Sequence, residues 1–244
     1  MMTRKDLGFI AVIVGLFLAA DLTGVISTES VVLLLVLVPS VILHEVSHGY
    51  VALICGDDTA KRAGRLTLNP LAHIDPIGSI LLPALLIFAG LTPIGYAKPV
   101  PVDVSKLHSP RNQSVLVSLA GPLVNLTLSA IAGILLNFKL LHTGVSLNLA
   151  PGAETNVALT LWDGVLFYAG AINLLLGMFN LIPIPPLDGS AIIERILPAG
   201  ALPGYFRLRM LMLPILIVLF LLFPQVIGDL FTPIINFWIR IFIP

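Results

Sequence analysis

Residues 31–55 read VVLLLVLVPSVILHEVSHGYVALIC, and this apolar run decides how the chain is interpreted. Its second half contains HEVSH, residues 44–48. Two histidines four positions apart, His44 and His48, lie on one face of a helix and can bind one zinc ion. Glu45 between them can act as a general base. Ionisable side chains at membrane depth are unfavourable, so their presence here indicates a functional site.

The composition indicates a membrane protein. Of 244 residues, 57% are hydrophobic and 11% are charged, whereas a soluble domain has about 25% charged residues. The long apolar runs lack the strict alternation of a membrane barrel, which favours helices. The formal net charge is zero and there is no basic tail, so no nucleic acid partner is expected. The single cysteine, Cys55, excludes an internal disulfide and a cysteine-based zinc site.

Five apolar stretches are long enough to cross a bilayer as helices. They are residues 7–27, 31–55, 113–137, 158–182 and 208–228. A sixth, residues 77–91, is shorter and bounded by prolines, and the tail 234–244 is too short for a full span. The sequence therefore predicts an all-α integral membrane protein with about five to six transmembrane helices. A re-entrant segment and a small membrane-associated β element are also expected.

The distribution of basic residues predicts the orientation. Arg4 and Lys5 place the N-terminus in the cytoplasm by the positive-inside rule. If segment 77–91 enters the membrane and returns, eleven of the thirteen lysines and arginines lie on the cytoplasmic side, all but Lys139 and Arg240. A full crossing would move three of them outside. The re-entrant topology is therefore predicted, since such a backbone is tolerated where it is buried in protein or lines a wet cavity.

A catalytic zinc site usually has three protein ligands, so one must come from outside the motif. The candidates are His73, Asp75, His108, His142, Asp163 and Asp188. His142 and Asp163 fall on the opposite side in the predicted topology, and His108 lies in a polar stretch typical of a solvated loop. Asp188 follows the proline-rich segment NLIPIPPL, and the re-entrant topology brings it to the side and depth of His48. Asp188 is the predicted third ligand; its alternative role is an N-cap.

Three polar positions within or beside the spans are open to two interpretations. Asn125 could hydrogen-bond across helices near the site or serve helix packing. His73 and Asp75 could orient a metal ligand, or they could cap the re-entrant segment, which is the interpretation that we favour. Residues 92–102, TPIGYAKPVPV, combine strand-forming residues with prolines that confine a strand to a sheet edge.

Two motifs together resemble those of the site-2 protease family, the intramembrane zinc metalloproteases of peptidase family M50. They are HEVSHG in one predicted span and NLIPIPPLDG after a later one. Residues 64–78, GRLTLNPLAHIDPIG, are similar to a signature of the short branch without a PDZ or CBS domain. The resemblance covers about residues 31–200. It implies a catalytic core within a single membrane-embedded domain, residues 1–244, with additional helices at 7–27 and 208–228.

The resemblance also implies roles for individual residues. One Zn²⁺ per chain would be bound by His44, His48 and Asp188, with Glu45 as base and proton shuttle. Asn180 would position the substrate or stabilise the oxyanion. The residues expected to contact the substrate are Asn125, Gly95, Tyr96 and Ala97. The last three lie in the expected edge strand, which can pair with an unwound peptide.

The expected activity is that of a zinc metalloendopeptidase that cleaves peptide bonds in or near transmembrane segments. Its expected partners are the lipid bilayer and a membrane protein or peptide substrate, in a prokaryotic cell membrane, with the N-terminus and the active site on the cytoplasmic side. The alternatives are a catalytically inactive metal-binding or transporter-like homologue, and a hydrolase of lipids or small amides. Retention of Glu45 argues against an inactive site, because a structural zinc needs no base and usually has a fourth protein ligand.

Overall fold

A computed structural model describes residues 28–75, 78, 97–144 and 160–244. The predicted helix 7–27 lies outside the described residues, as do Gly95, Tyr96 and, apart from Gly78, the predicted re-entrant segment 77–91.

Three long apolar helices form the centre of the described fold. They are α1 (Thr28–Ile54), α3 (Pro110–Thr143) and α4 (Leu161–Asn180). All three pack against one another. The start of α4 is defined by a capping box, in which the Thr160 and Asp163 side chains each accept a hydrogen bond from the other residue's backbone N–H. These helices confirm the all-α class, and the described residues contain no strand.

Two further helices follow in the C-terminal part, and here the predicted span 208–228 is wrong in its bounds. Helix α6 covers Leu202–Leu222 and helix α7 covers Pro224–Phe242. Helix α6 ends at Leu222 because the next residue, Phe223, precedes a proline, which disfavours helical backbone at Phe223. The dihedral angles of Phe223 are φ −131° and ψ 57°. The tail 234–244, predicted to be too short for a span, is mostly the second half of α7.

Helix α7 packs against the centre through aromatic side chains. Trp238 lies in a buried cluster with Leu136, Leu140 and Leu174. The Trp238 ring occupies the space that a side chain at Gly170 of α4 would need. Packing of α7 against α3 and α4 therefore depends on a position without a side chain.

Four described helical segments are long and apolar enough to cross a membrane. They are Val31–Ile54, Pro110–Thr143, Leu161–Asn180 and Ala199–Leu219. Helix α7, with Asp229 and Arg240, is not among them. The described helices thus support an integral membrane protein and do not reach the predicted count of five to six spans.

The segment that follows α1 folds into a polar layer at the end of the helix. It contains the short helix α2 (Thr59–Arg62) and a 3-10 turn, Pro70–His73. The Lys98 N–H donates to the His73 carbonyl at 2.9 Å, and the Arg65 guanidinium donates to the Lys98 carbonyl at 2.6 Å. These bonds hold the non-helical residues that begin at Ala97 against this layer, where the sequence predicts part of a β element.

Asp57 connects this polar layer to the segment before α3. It is fully buried and accepts hydrogen bonds from the Thr59 N–H at 2.9 Å and the Asp103 N–H at 2.6 Å. Burial alone raises the pKa of this carboxyl, but the hydrogen bonds from Thr59 and Asp103 lower it by more, so the pKa lies below its usual value. Asp57 is therefore ionised at neutral pH and joins α1 to the segment before α3.

The loop after α4 leads into the short helix α5 (Ser190–Ile196). The Gly189 N–H donates to the Asn180 carbonyl at 2.6 Å, which closes the loop onto the end of α4. Arg195 on α5 donates from Nε to Asn112 Oδ1 of α3 at 2.7 Å, and Glu194 pairs with Arg209 of α6 at 2.8 Å. The residue before Gly189, Asp188, is thus held between α4, α3 and α6.

Candidate metal centre

Helix α1 presents His44 and His48 on one face, as the four-residue spacing predicts. Their ring centroids lie 4.7 Å apart. The Asp188 carboxylate faces both rings, with Oδ2 3.0 Å from His44 Nε2 and 3.4 Å from His48 Nε2. One potential ligand atom from each of the three residues lies within 4.8 Å of the others. The structure therefore brings Asp188 to two histidines that lie 140 or more positions before it, as the sequence predicts.

The donor atoms suit zinc. The Nδ1 atom of His44 contacts Asn125 Oδ1 at 2.5 Å, and Nδ1 of His48 contacts the Val117 carbonyl at 2.7 Å. Both partners are acceptors, so each Nδ1 carries the proton and each Nε2 keeps its lone pair on the side of Asp188. Two imidazole nitrogens and one carboxylate oxygen leave a fourth tetrahedral position for water or substrate, as in catalytic zinc sites.

Gly121 of α3 provides the space for this cluster. A Cβ atom at this position would lie 2.6 Å from both Cε1 and Nε2 of His44, closer than non-bonded atoms approach. The Nε2 atom of His48 is at least as close to the same point. The backbone of α3 therefore borders the metal-binding atoms directly, and this position admits only glycine.

The Glu45 side chain is held by the non-helical segment before α3. Its Oε2 accepts a hydrogen bond of 2.8 Å from the backbone N–H of Val100. Val100 lies in the non-helical segment that Arg65 and His73 hold in place, and it is itself buried. The hydrogen bond thus orients one oxygen of the Glu45 carboxylate. Glu45 follows the potential ligand His44 in the sequence but does not itself belong to the metal-binding group.

Asn180 and Asn125 occupy different positions relative to the cluster. Asn180 ends α4 and donates from Nδ2 to the Leu176 carbonyl one turn earlier, at 2.9 Å. Asn125 has no exposed surface and lies behind His44, on the side of the ring away from Asp188. Ala97 lies at the start of the non-helical segment that contains Val100.

The remaining candidates lie outside the metal-binding group. His73 is buried, and its Nε2 contacts the Thr67 carbonyl at 2.8 Å, whereas Asp75 Oδ1 accepts from the Gly78 N–H at 2.7 Å. The Asp75 contact is that of a capping residue. His108 and His142 are exposed. Asp163 pairs with Lys139 at 2.6 Å, at the start of α4, and Asn180 and the loop to Asp188 are at its other end.

The fold and this cluster define a helical membrane protein with the zinc-binding motif of a metallopeptidase. The chain belongs to peptidase family M50, whose family model matches residues 32–223. It is therefore a member of a zinc metalloprotease family, and the implied cofactor is Zn²⁺.

Several curated relatives have related names. The chain is 43% identical to the "Putative zinc metalloprotease YwhC" of Bacillus subtilis over 169 residues, which cover 69% of this chain and 70% of that protein. It is 31% identical to the "Putative zinc metalloprotease Rip2" of Mycolicibacterium smegmatis over 181 residues, 73% of this chain and 62% of that protein. The "Zinc metalloprotease MJ0392" of Methanocaldococcus jannaschii is 28% identical over 189 residues, 78% of this chain and 40% of that protein. No solved structure shows a significant match.

Sequence reasoning missed Gly121 and Val100. Gly121 is one of 20 glycines, and only its packing against the histidine rings distinguishes it. Val100 contributes only a backbone N–H, which its own residue type does not reveal. The two flanking prolines, Pro99 and Pro101, were the available hint, since they leave Val100 as the one amide donor among the three.

Proposed function

We propose that this chain is an intramembrane zinc metalloprotease that hydrolyses peptide bonds in or near transmembrane segments of membrane proteins. The observation that carries the proposal is the cluster of His44, His48 and Asp188 next to Glu45, in a chain with helices long enough to cross a membrane. Three ligands with an adjacent carboxylate are typical of catalytic rather than structural zinc. The cluster therefore supports a protease in preference to an inactive metal-binding homologue.

In the proposed mechanism His44, His48 and Asp188 hold the metal. Zinc bound there would supply a Lewis acid that makes water acidic enough to lose a proton near neutral pH. Glu45 accepts that proton and later delivers it to the leaving amine. The Val100 N–H holds one carboxylate oxygen, which leaves the other to take up the proton.

Asn180 is the proposed donor to the oxyanion that forms during attack. Its Nδ2 donates to the Leu176 carbonyl at 2.9 Å within its own helix. This bond uses one of the two Nδ2 protons, and the other is available to the oxyanion. The closure of the Asp188 loop onto the Asn180 backbone keeps the residue near the metal ligands.

The substrate is proposed to pair, as an unwound peptide, with the segment that includes Gly95, Tyr96 and Ala97. Within the described part, Pro99 and Pro101 have no N–H and the Val100 N–H is donated to Glu45. A peptide paired at Pro99, Val100 and Pro101 would therefore donate its own N–H groups to carbonyl oxygens of the segment. This pairing would offset part of the cost of unwinding a substrate helix.

The active site is proposed to face the cytoplasm. Arg65, Lys98, Arg111 and Arg195 lie at the end of the fold that carries the metal centre, and Lys139 pairs with Asp163 at the start of α4. His48 lies six residues before the end of α1, a depth of about 9 Å along the helix axis. The positive-inside rule then places the centre in the cytoplasmic half of the membrane.

Metal removal tests the proposed function. The purified chain, reconstituted in lipid vesicles with a single-span model substrate, is expected to cleave the substrate at a peptide bond identified by product mass. Removing zinc with a chelator should lower the cleavage rate by about 100-fold or more, because loss of several kcal/mol of transition-state stabilisation has at least that effect. Added zinc should restore it. Cleavage that persists in protein shown by metal analysis to lack zinc would contradict the proposal.

Asp188→Ala is expected to lower the zinc content from one ion per chain to well under half, because two imidazoles alone bind zinc weakly. Metal analysis after dialysis against a weak chelator measures the stoichiometry. Asp229→Ala, which removes an exposed carboxylate on α7, is the matched control and should keep its zinc. Unchanged zinc in Asp188→Ala would show that another residue is the third ligand.

A further inference from the structure

A row of polar side chains lies behind His44, in the interior of the three central helices. Ser40 belongs to α1, Asn125 to α3 and Asn173 to α4, and their exposed fractions are 4%, 0% and 3%. Each residue is surrounded by apolar helix surfaces. Buried amides and hydroxyls are unfavourable without hydrogen-bond partners. The hydrogen bonds of these three residues therefore determine how their side chains are oriented.

The contacts run continuously from a backbone carbonyl to the metal centre. Asn173 Nδ2 donates to the Ala169 carbonyl at 2.9 Å and to Ser40 Oγ at 2.8 Å. Asn125 Nδ2 donates to Asn173 Oδ1 at 2.7 Å and, over a longer distance of 3.4 Å, to the Ser40 backbone carbonyl. Asn125 Oδ1 in turn lies 2.5 Å from His44 Nδ1. Ser40 Oγ donates a hydrogen bond to the Val36 carbonyl at 2.8 Å.

The direction of these bonds follows from the carbonyl at the far end. A carbonyl only accepts, so the Asn173 side chain must turn its NH₂ group toward Ala169 and its oxygen toward Asn125. Asn125 must then present NH₂ to Asn173 and its oxygen to His44. An oxygen at that place requires the proton on Nδ1 of His44, which leaves Nε2 as the metal-binding atom.

The two histidines differ in how this is achieved. His48 Nδ1 donates to the Val117 carbonyl, a backbone acceptor that cannot turn over. His44 instead depends on a side-chain amide, whose oxygen and nitrogen would exchange places on a half-turn. The tautomer of His44 therefore depends on a further contact that fixes the Asn125 amide, whereas the tautomer of His48 does not.

We propose that Asn173 and Ser40 are positioning residues of the zinc site, which fix the orientation of the Asn125 amide and through it the tautomer of His44. This inference rests on the proposed zinc site and extends it to two residues that touch neither metal nor substrate. Serine and asparagine are not usual zinc ligands, so neither residue stands out as part of a metal site in the sequence.

Zinc affinity of the purified chain, measured by competition with a chromophoric chelator, tests the proposal. Asn125→Leu and Asn173→Leu should each weaken zinc binding, by about 10- to 100-fold for Asn125→Leu, as for other groups that orient metal ligands. The double variant should bind no more weakly than Asn125→Leu alone, because Asn173 acts only through Asn125. Ser129→Ala, which removes a buried hydroxyl one turn along α3, is the matched control and should bind zinc like the wild type.

Two results would overturn the proposal: wild-type affinity in folded Asn173→Leu, or effects of the two substitutions that simply add. A purely structural role predicts such additivity. If thermal melting shows that Asn173→Leu does not fold, Ser40→Ala, which removes only the hydroxyl that accepts from Asn173, takes its place and should weaken zinc binding in the same non-additive way. A wild-type chain that binds no zinc would instead contradict the proposed function itself.

Discussion

Glu45→Gln is expected to lower the cleavage rate by about 10²- to 10⁴-fold, the usual contribution of a general base, and to leave zinc binding unchanged. The glutamine amide has the same shape, and its oxygen can still accept the hydrogen bond from Val100 that the structure shows at 2.8 Å. It cannot take up a proton at neutral pH. Single-turnover cleavage of a membrane-embedded substrate, with zinc content measured on the same sample, separates the two effects.

Glu194→Gln is the matched control for this substitution. Glu194 pairs with Arg209 at 2.8 Å on the short helix after Asp188, and it lies outside the metal-binding group. The same change of charge there should leave cleavage close to that of the wild type. Cleavage by Glu45→Gln at the wild-type rate would show that the base is another residue.

Gly121→Ala is expected to abolish the metal site. The added methyl carbon would lie 2.6 Å from two ring atoms of His44 and no farther from Nε2 of His48. Neither ring can retreat without losing the bond from its Nδ1 to Asn125 or to the Val117 carbonyl. Because disturbing one orienting group weakens metal binding by about 10- to 100-fold, displacement of both histidines should reach at least the upper end of that range.

Competition with a chelator measures the zinc affinity of this variant, and thermal melting shows whether it is folded. Gly164→Ala provides the control, because no atom lies within 4 Å of the added carbon at that position of α4. Alanine in a helix is more favourable than glycine by about 0.5–1 kcal/mol, so this control should melt at the same temperature or slightly higher. Folded Gly121→Ala with unchanged zinc affinity would show that the ligands lie elsewhere.

Much of the metal centre was predictable because it depends on helical periodicity and membrane depth. His44 and His48 are four positions apart, and an apolar run long enough to span a membrane surrounds them. The predicted topology brings Asp188 to the side and depth of these histidines, and the structure places its carboxylate within 3.4 Å of both rings. Asp75 accepts a hydrogen bond from the Gly78 N–H, which is the contact of a capping residue.

Other features depend on tertiary contacts that leave little trace in one sequence. The Val100 amide reaches Glu45 because Arg65 and His73 both bind the backbone of Lys98, which is 33 positions beyond Arg65. The break at Phe223 is a local proline effect inside an apolar run, and hydrophobicity alone extends the predicted span across it. The partnership of Asn173 with Asn125 joins two helices whose polar positions look unrelated in the sequence.

X-ray absorption at the zinc edge of the purified chain reports the atoms bound to the metal, so it tests whether His44, His48 and Asp188 are the ligands. With one zinc per chain, we expect two imidazole nitrogens at about 2.0–2.1 Å and carboxylate or water oxygens at about 2.0–2.2 Å, in fourfold coordination. The His48 and Asp188 contributions should disappear in the corresponding alanine variants. A sulfur neighbour at about 2.3 Å, or a spectrum unchanged by Asp188→Ala, would contradict the site assigned to His44, His48 and Asp188.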